Sequence, residues 1–376
     1  MGVKGRESNF ELLRILAMLL IIAYHLVAHC MLDKLDVSVY CTPTFYGRLF
    51  FFQVIMSFGS IANACFILIS GYFMAGREGK SVNIVRIGKK LMTQIVFGAV
   101  VLMFGTLIFY KLKGEAYPTP LTLIDIRYAN TWVWFIGYYF LLMVIGAFFI
   151  NDFLAKLEKN EYKRFLVVLL LLISLQFTSG LIENFINSLS AVAGGIFFYT
   201  LGGYIRKYDP FVKIRTWVLL MIPVLVYGIL FVSYYNNTVS SIGYYLEDVG
   251  LRRIAGSGID SFKQPVFGIT DTGIIAVVMA VTIFELTRRI KIGCIKPVNA
   301  LASSTLMIYI IHDNDFFYDL WGLTDWIEMF RYTPRIFAVN YIKWIFLMFA
   351  IGAATYLLYF LTCKACEKLK WIVVRR

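Results

Sequence analysis

The chain has 376 residues, of which 60% are hydrophobic and only 16% charged, more apolar material than one water-soluble core needs. That balance argues against a soluble enzyme. Its 36 Lys and Arg against 23 Asp and Glu leave a net charge of +13, yet the bases punctuate hydrophobic runs instead of clustering in polar segments, so nucleic acid is not the expected partner. The six cysteines show no disulfide-framework spacing, and the Cys363 and Cys366 CxxC pair lacks the second pair of a closed zinc site, so no metal is expected.

A bilayer core of roughly 30 Å needs about 20 apolar residues in helix. Runs of this kind, bounded by charge, occupy residues 10–31, 50–75, 91–110, 132–150, 165–182, 189–205, 217–235, 272–286, 301–317 and 341–362. The expected fold is therefore all-α: a polytopic integral membrane protein of about ten transmembrane helices, read as a single membrane-embedded domain over 1–376 with its core at about 10–362 and no separate soluble domain. Roughly two-thirds of the Lys and Arg fall in segments sharing a side with the N-terminus, which predicts that both termini face the cytoplasm. Lys4, Arg6 and the apolar run after them resemble a signal peptide, but Arg14 heads the run and no small-residue cleavage site follows, so the segment is expected to stay. The long segment 236–271, with Arg252 and Arg253, is expected outside, folding back or forming part of a substrate site.

Ionisable groups inside a span are expensive, about 2.5–3.5 kcal/mol at its centre, and so point to function. In the first span Arg14 and His25 are eleven residues apart, which at roughly 100° per residue puts them on one face and about 16 Å apart along the axis. Arg14 would sit at the cytoplasmic mouth and His25 past the middle. Arginine grips phosphate bidentately and histidine removes a proton near neutral pH, a pairing that suits a long substrate with an anionic end and a reactive tip, such as acyl-coenzyme A. The residues alone leave a second reading open, in which Arg14 snorkels to the interface and His25 is a hydrogen-bonded core residue. Glu11, one turn before Arg14, is placed to orient its guanidinium. His29 lacks a third ligand nearby in sequence and reads as interfacial.

Arg77, Lys80, Arg86, Lys89 and Lys90 form a basic cluster between the second and third spans. Arg86, Lys89 and Lys90 share one helical face and suit phosphate, although basic loops on the cytoplasmic side are also plain topology. His312, late in the ninth span beside Asp313 and Asp315, is expected near the outer surface, as an acid/base group, as a donor to a sugar, or as an interfacial residue without function. Trp132 and Trp134 read as an aromatic belt whose faces also suit sugar rings.

In order along the chain, NFELLRILAMLLIIAYH (9–25) with its Arg, ten residues and His, FILISGYFM (66–74), VRIGKKL (85–91), TWVWFIGYYFLL (131–142) and SSTLMIYIIH (303–312) resemble the acyltransferase 3 family of integral-membrane acyltransferases. The resemblance implies transfer of an acyl group, most often acetyl, from cytoplasmic acyl-coenzyme A to a hydroxyl of a cell-surface or lipid-linked glycan, in a bacterial plasma membrane. It implies no bound cofactor, with acyl-coenzyme A as co-substrate, the glycan as acceptor and the lipid bilayer as surroundings. His25 and Arg14 are then the catalytic candidates; Arg86, Lys89, Lys90 and Glu11 belong to the donor side; His312, Ser70 and Trp134 belong to the acceptor side. Lys89 and Lys90 stand where the family often has Arg, and Asp313-Asn314 follows His312 where an apolar residue is usual. The rival expectation is a transporter or flippase for a glycan or small solute, with Arg14 and His25 lining its path; no paired Gly/Pro interruptions in the two halves support it.

Overall fold

A computed structural model describes residues 7–32, 43–76, 83–115, 134–174, 189–235 and 274–374. The described residues are almost entirely helical: α1 (Ser8–Cys30), α2 (Pro43–Met74), α3 (Ile84–Lys113), α4 (Trp134–Ile145), a π-helical turn (Gly146–Ile150), α5 (Asn151–Lys156), α6 (Lys159–Ser174), α7 (Leu189–Tyr208), α8 (Thr216–Tyr234), α9 (Ile274–Arg289), α10 (Lys296–Ala302), α11 (Thr305–His312), α12 (Asp315–Gly322), α13 (Trp326–Tyr332) and α14 (Pro334–Val374). Among the described residues, five stretches are long and apolar enough to cross a membrane: Ser8–Cys30, Gly47–Met74, Ile84–Lys113, Trp134–Lys156 and Pro334–Leu369. Thr216–Val232 is apolar but shorter. Residues 77–82 with Arg77 and Lys80, Trp132, and the segment 236–271 lie outside the described residues.

The ninth expected span, 301–317, is not one helix. Its apolar run is broken twice, after α10 and after α11. At the first break Ser304 Oγ donates to the Leu301 carbonyl at 2.6 Å and Thr305 Oγ1 to the Ala302 carbonyl at 2.9 Å, local bonds that compete with the helical ladder. At the second, Asn314 donates to the Ile311 carbonyl and accepts from the Phe317 N–H, closing α11 and capping α12. Such interruptions are tolerated at membrane depth only inside protein. Met307 to His312 are accordingly buried.

α1 is the central element, packed along α2 and touching α9, α10, α11, α12 and α14. Its start is pinned by Ser8, whose hydroxyl donates to Asn299 at 2.8 Å and accepts from the Ile295 N–H at 2.6 Å, and by Asn9, which donates to the Thr287 carbonyl at 3.2 Å. Further along, the Tyr341 hydroxyl of α14 donates to the Ala23 carbonyl at 2.7 Å. Basic residues read as topology also build the frame: buried Glu285 accepts from Arg288 at 2.8 Å and Arg289 at 2.9 Å, and Arg289 reaches the Ile214 carbonyl at 2.7 Å. This clasp ties the end of α9 to the turn between α7 and α8.

Two backbone contacts set the helix spacing. A Cβ on Gly71 of α2 would lie 2.0 Å from the Tyr199 carbonyl oxygen of α7, and one on Gly202 of α7 would lie 2.4 Å from that of Leu68. Small residues permit this approach, the usual currency of helix association in lipid. Gly71→Val should therefore cost about 3 kcal/mol, the upper end of overpacking penalties, because backbone oxygen cannot swing aside. Thermal unfolding of the detergent-solubilised protein, followed by size-exclusion chromatography, checks this; an unchanged melting point would mean that α2 and α7 separate freely.

Candidate active site

α1 carries Glu11, Arg14, Met18 and Ile21 along a cavity of ≈ 320 Å³, which Ser70 of α2, Lys90 and Leu91 of α3, Tyr139 of α4, and Thr305, Leu306 and Tyr309 around α11 also line. Its size falls in the range of small-ligand sites, roughly 300–1,000 Å³. Arg14 and Lys90 put positive charge on an otherwise mostly apolar chamber. Glu11 Oε1 accepts from Arg14 at 2.6 Å, as the one-turn spacing predicts, while Glu11 Oε2 is buried with no hydrogen bond. Arg86 and Lys89 are exposed on the first turns of α3 and do not line this cavity; of the basic trio, Lys90 does.

One turn beyond Ile21, the chain brings in His25, 8% exposed. Its partner comes from the other end of the sequence. His312 Nε2 lies 3.0 Å from His25 Nδ1, with the two rings stacked at 5.0 Å between centroids. His312 is fully buried within the protein, where the breaks on either side of α11 let that short helix tuck against α1, α3 and α14. A Cβ on Gly98 of α3 would lie 2.5 Å from Ile310, so a glycine there makes room for α11.

The partners decide the protons. The Ile308 carbonyl, 2.8 Å from His312 Nδ1, can only accept, so that nitrogen carries hydrogen and His312 Nε2 presents a lone pair. His25 Nδ1 must then donate to it, which leaves the lone pair of His25 Nε2 free. Asp313 Oδ1 lies 3.6 Å from His25 Nδ1 and accepts from the Tyr318 hydroxyl. A carboxylate there stabilises the imidazolium that forms when Nε2 takes a proton. The group is thus a base with two orienting partners, the general logic of an activated acyl-transfer site.

Past His25 the arrangement opens again. His29 stacks on Tyr318 with centroids 4.2 Å apart, and both line a second cavity of ≈ 370 Å³ with Phe109, Tyr110, Lys113 and Asp319. His25, His29 and Asp313 also offer ligand atoms all within 4.8 Å of one another. The third ligand that His29 lacked in sequence is supplied from far along the chain.

Ser70, expected on the acceptor side, lines the Arg14 cavity, where its hydroxyl lies 3.0 Å from that of Tyr139. Trp134 is 49% exposed, edge-on to Phe135, and lines neither of these two cavities. Sequence reasoning missed Tyr309, Tyr318 and the role of Asp313. The signal available was the placement of Tyr309 and Asp313 around His312, one turn before it and directly after it, in an apolar run.

The chain matches the acyltransferase domain of the acyltransferase 3 family over residues 7–364. It belongs to that family. The expectation raised by the Arg14 and His25 spacing and the motifs after it therefore holds for the family, and its members are integral-membrane acyltransferases. No significant match occurs among curated proteins or among solved structures. Family membership supports an acyltransferase-type enzyme in general and acyl-coenzyme A as its co-substrate.

Proposed function

We propose that the protein moves an acyl group, acetyl by preference, from cytoplasmic acyl-coenzyme A to a hydroxyl of a cell-surface or lipid-linked glycan, in a bacterial plasma membrane. The observation that carries this reading is the cavity bearing Arg14 and Lys90 that runs along α1 towards the His25, His312 and Asp313 group. About ten crossings with both termini cytoplasmic, the broken α10 to α12 segment serving as one of them, put the cationic end on the coenzyme's side.

Arg14 and Lys90 bind the coenzyme's phosphates there, with Arg86 and Lys89 drawing it in from the approach, and the apolar chamber receives the pantetheine arm. The thioester then lies at the His25 end. His25 Nε2 accepts the proton of the acceptor hydroxyl as its oxygen bonds to the thioester carbonyl carbon. The carbon–sulfur bond breaks, and the departing sulfur takes the proton from the imidazolium. In a covalent route the same nitrogen instead bonds to the thioester carbon as the carbon–sulfur bond breaks to release thiolate; the acceptor oxygen then bonds to that carbon as the carbon–nitrogen bond breaks, and the hydroxyl proton goes to the thiolate.

Family membership favours this enzyme over the transporter, although a broken helix between two cavities is also a transporter trait. Purified protein in nanodiscs should bind radiolabelled acetyl-coenzyme A, and mass spectrometry of surface polysaccharides should find acetyl substituents lost when the gene is deleted. Absence of binding together with loss of the whole polymer would favour transport.

A further inference from the structure

His25 and His29 are one turn apart on α1, so both imidazoles leave the helix on one side, and their ring centroids lie 5.5 Å apart. Asp313 joins them from the end of α11, and the three offer ligand atoms that all lie within 4.8 Å of one another. His25 Nδ1 and Asp313 Oδ1 are 3.6 Å apart, close to the ~3.4 Å edge of a tetrahedron built on zinc–nitrogen bonds of about 2.0–2.1 Å. Outer contacts already hold these side chains. The Tyr318 hydroxyl donates to Asp313, and the His29 ring stacks on Tyr318 at 4.2 Å between centroids, the kind of support that orients metal ligands. His25 and Asp313 are buried, whereas His29 is exposed and lines the second cavity, so an ion reaches the inner two ligands past the outer one.

We propose that His25, His29 and Asp313 bind a divalent transition metal, zinc by preference, and that filling this site switches the enzyme off. The metal site stands on the ligand geometry alone; the switch rests on the acyltransferase reading above. Two imidazoles and a carboxylate suit zinc, whereas magnesium and calcium take oxygen ligands. Three protein ligands suffice for zinc when water fills the fourth position. Coordination removes the base whichever nitrogen of His25 is used. Through Nε2, the metal occupies the lone pair that takes the proton of the acceptor hydroxyl. Through Nδ1, it displaces that nitrogen's hydrogen to Nε2, so the same lone pair is lost and His312 Nε2 loses its donor. Asp313 then ligates the ion instead of steadying an imidazolium. Arg14 lies about 16 Å back along α1 from His25, on the wall of the first cavity with Lys90, so the metal blocks transfer and leaves donor binding in place.

The test uses the full chain in nanodiscs, purified without a polyhistidine tag and stripped with a chelator. Cobalt(II), a coloured stand-in for zinc, should give visible d–d bands in wild type that are missing in His29→Ala and in the closer-shaped His29→Gln. Thiolate charge-transfer bands report separately on binding at the exposed Cys294 and Cys366. Saturating zinc should lower wild-type acetyl transfer at least about 100-fold, the lower end of a lost general base, and EDTA should restore it. The Kd for acetyl-coenzyme A should change less than about twofold, under ~0.4 kcal/mol. In the His29 variants, with each rate compared to the same protein's own metal-free rate, the zinc concentration needed for inhibition should rise at least about 100-fold, since even an outer partner of a metal ligand is worth about 10–100-fold. Cobalt spectra that are alike in wild type and variants, or absent from all, overturn the site. Bound metal that leaves the rate unchanged, or transfer that chelation abolishes, overturns the switch. Wild type that transfers no acetyl group with or without metal sinks the acyltransferase reading instead, and the cobalt spectra still decide the site.

Discussion

His25→Ala should lower acyl transfer by about 10²–10⁴-fold, the span of a lost general base, with acetyl-coenzyme A still bound and the protein still in the membrane. The prediction follows from position. His25 lies beyond the last α1 residue that lines the Arg14 cavity, so its removal leaves Arg14 and Lys90 untouched. His312→Ala should act on the same step more weakly, because His312 acts through its bond to His25 while the Ile308 carbonyl holds its other nitrogen: kcat falls, KM for acetyl-coenzyme A holds, and His312→Gln, whose amide oxygen can still accept from Nδ1, recovers part of the loss. Single-turnover transfer and equilibrium donor binding, measured on the same preparations, check both. Retained acetylation in His25→Ala would remove the base from the mechanism.

Arg14→Ala should damage two properties at once. The loss of a charged contact to phosphate costs about 1.5–3 kcal/mol, roughly a 10- to 150-fold rise in the Kd for acetyl-coenzyme A. Glu11 is 4% exposed, has one oxygen already without a hydrogen bond, and would lose the partner of the other. Stranding a buried charge in this way costs about 3–5 kcal/mol. The double variant Glu11→Gln with Arg14→Gln separates the effects: the melting temperature recovers because no charge is stranded, while donor affinity stays low. Calorimetry or fluorescence melting with isothermal titration of acetyl-coenzyme A makes the comparison, and an unaltered Kd in both variants would take Arg14 out of the donor site.

Much of this arrangement was legible one helix at a time. Glu11, Arg14 and His25 sit on a single helix, where 3.6-residue periodicity fixes who shares a face, and the structure keeps Glu11 on Arg14 at 2.6 Å. The basic trio after α2 was legible only as a face. Which member meets the chamber depends on how α3 leans on α4 and α11, and Lys90 is the one that does. Ser70 shows the limit in the other direction: its motif marked it as notable, but whether it serves donor or acceptor follows from where α2 meets Tyr139 of α4.

By itself the sequence determined the membrane class, the apolar helices, the clustering of positive charge and the pairing of an arginine with a histidine along one helix. These are local quantities, set by composition and by spacing within about a dozen residues. Only the tertiary structure decided that His312 lies buried against His25, 287 residues away in the chain, that Asp313 and Tyr318 complete the group, and that a second chamber opens beyond His29. The reason is that a continuous apolar run hides its own interruptions. Hydroxyl and amide bonds to the backbone at Ser304, Thr305 and Asn314 break the ninth span, and the short helix between them packs inward with His312 fully buried.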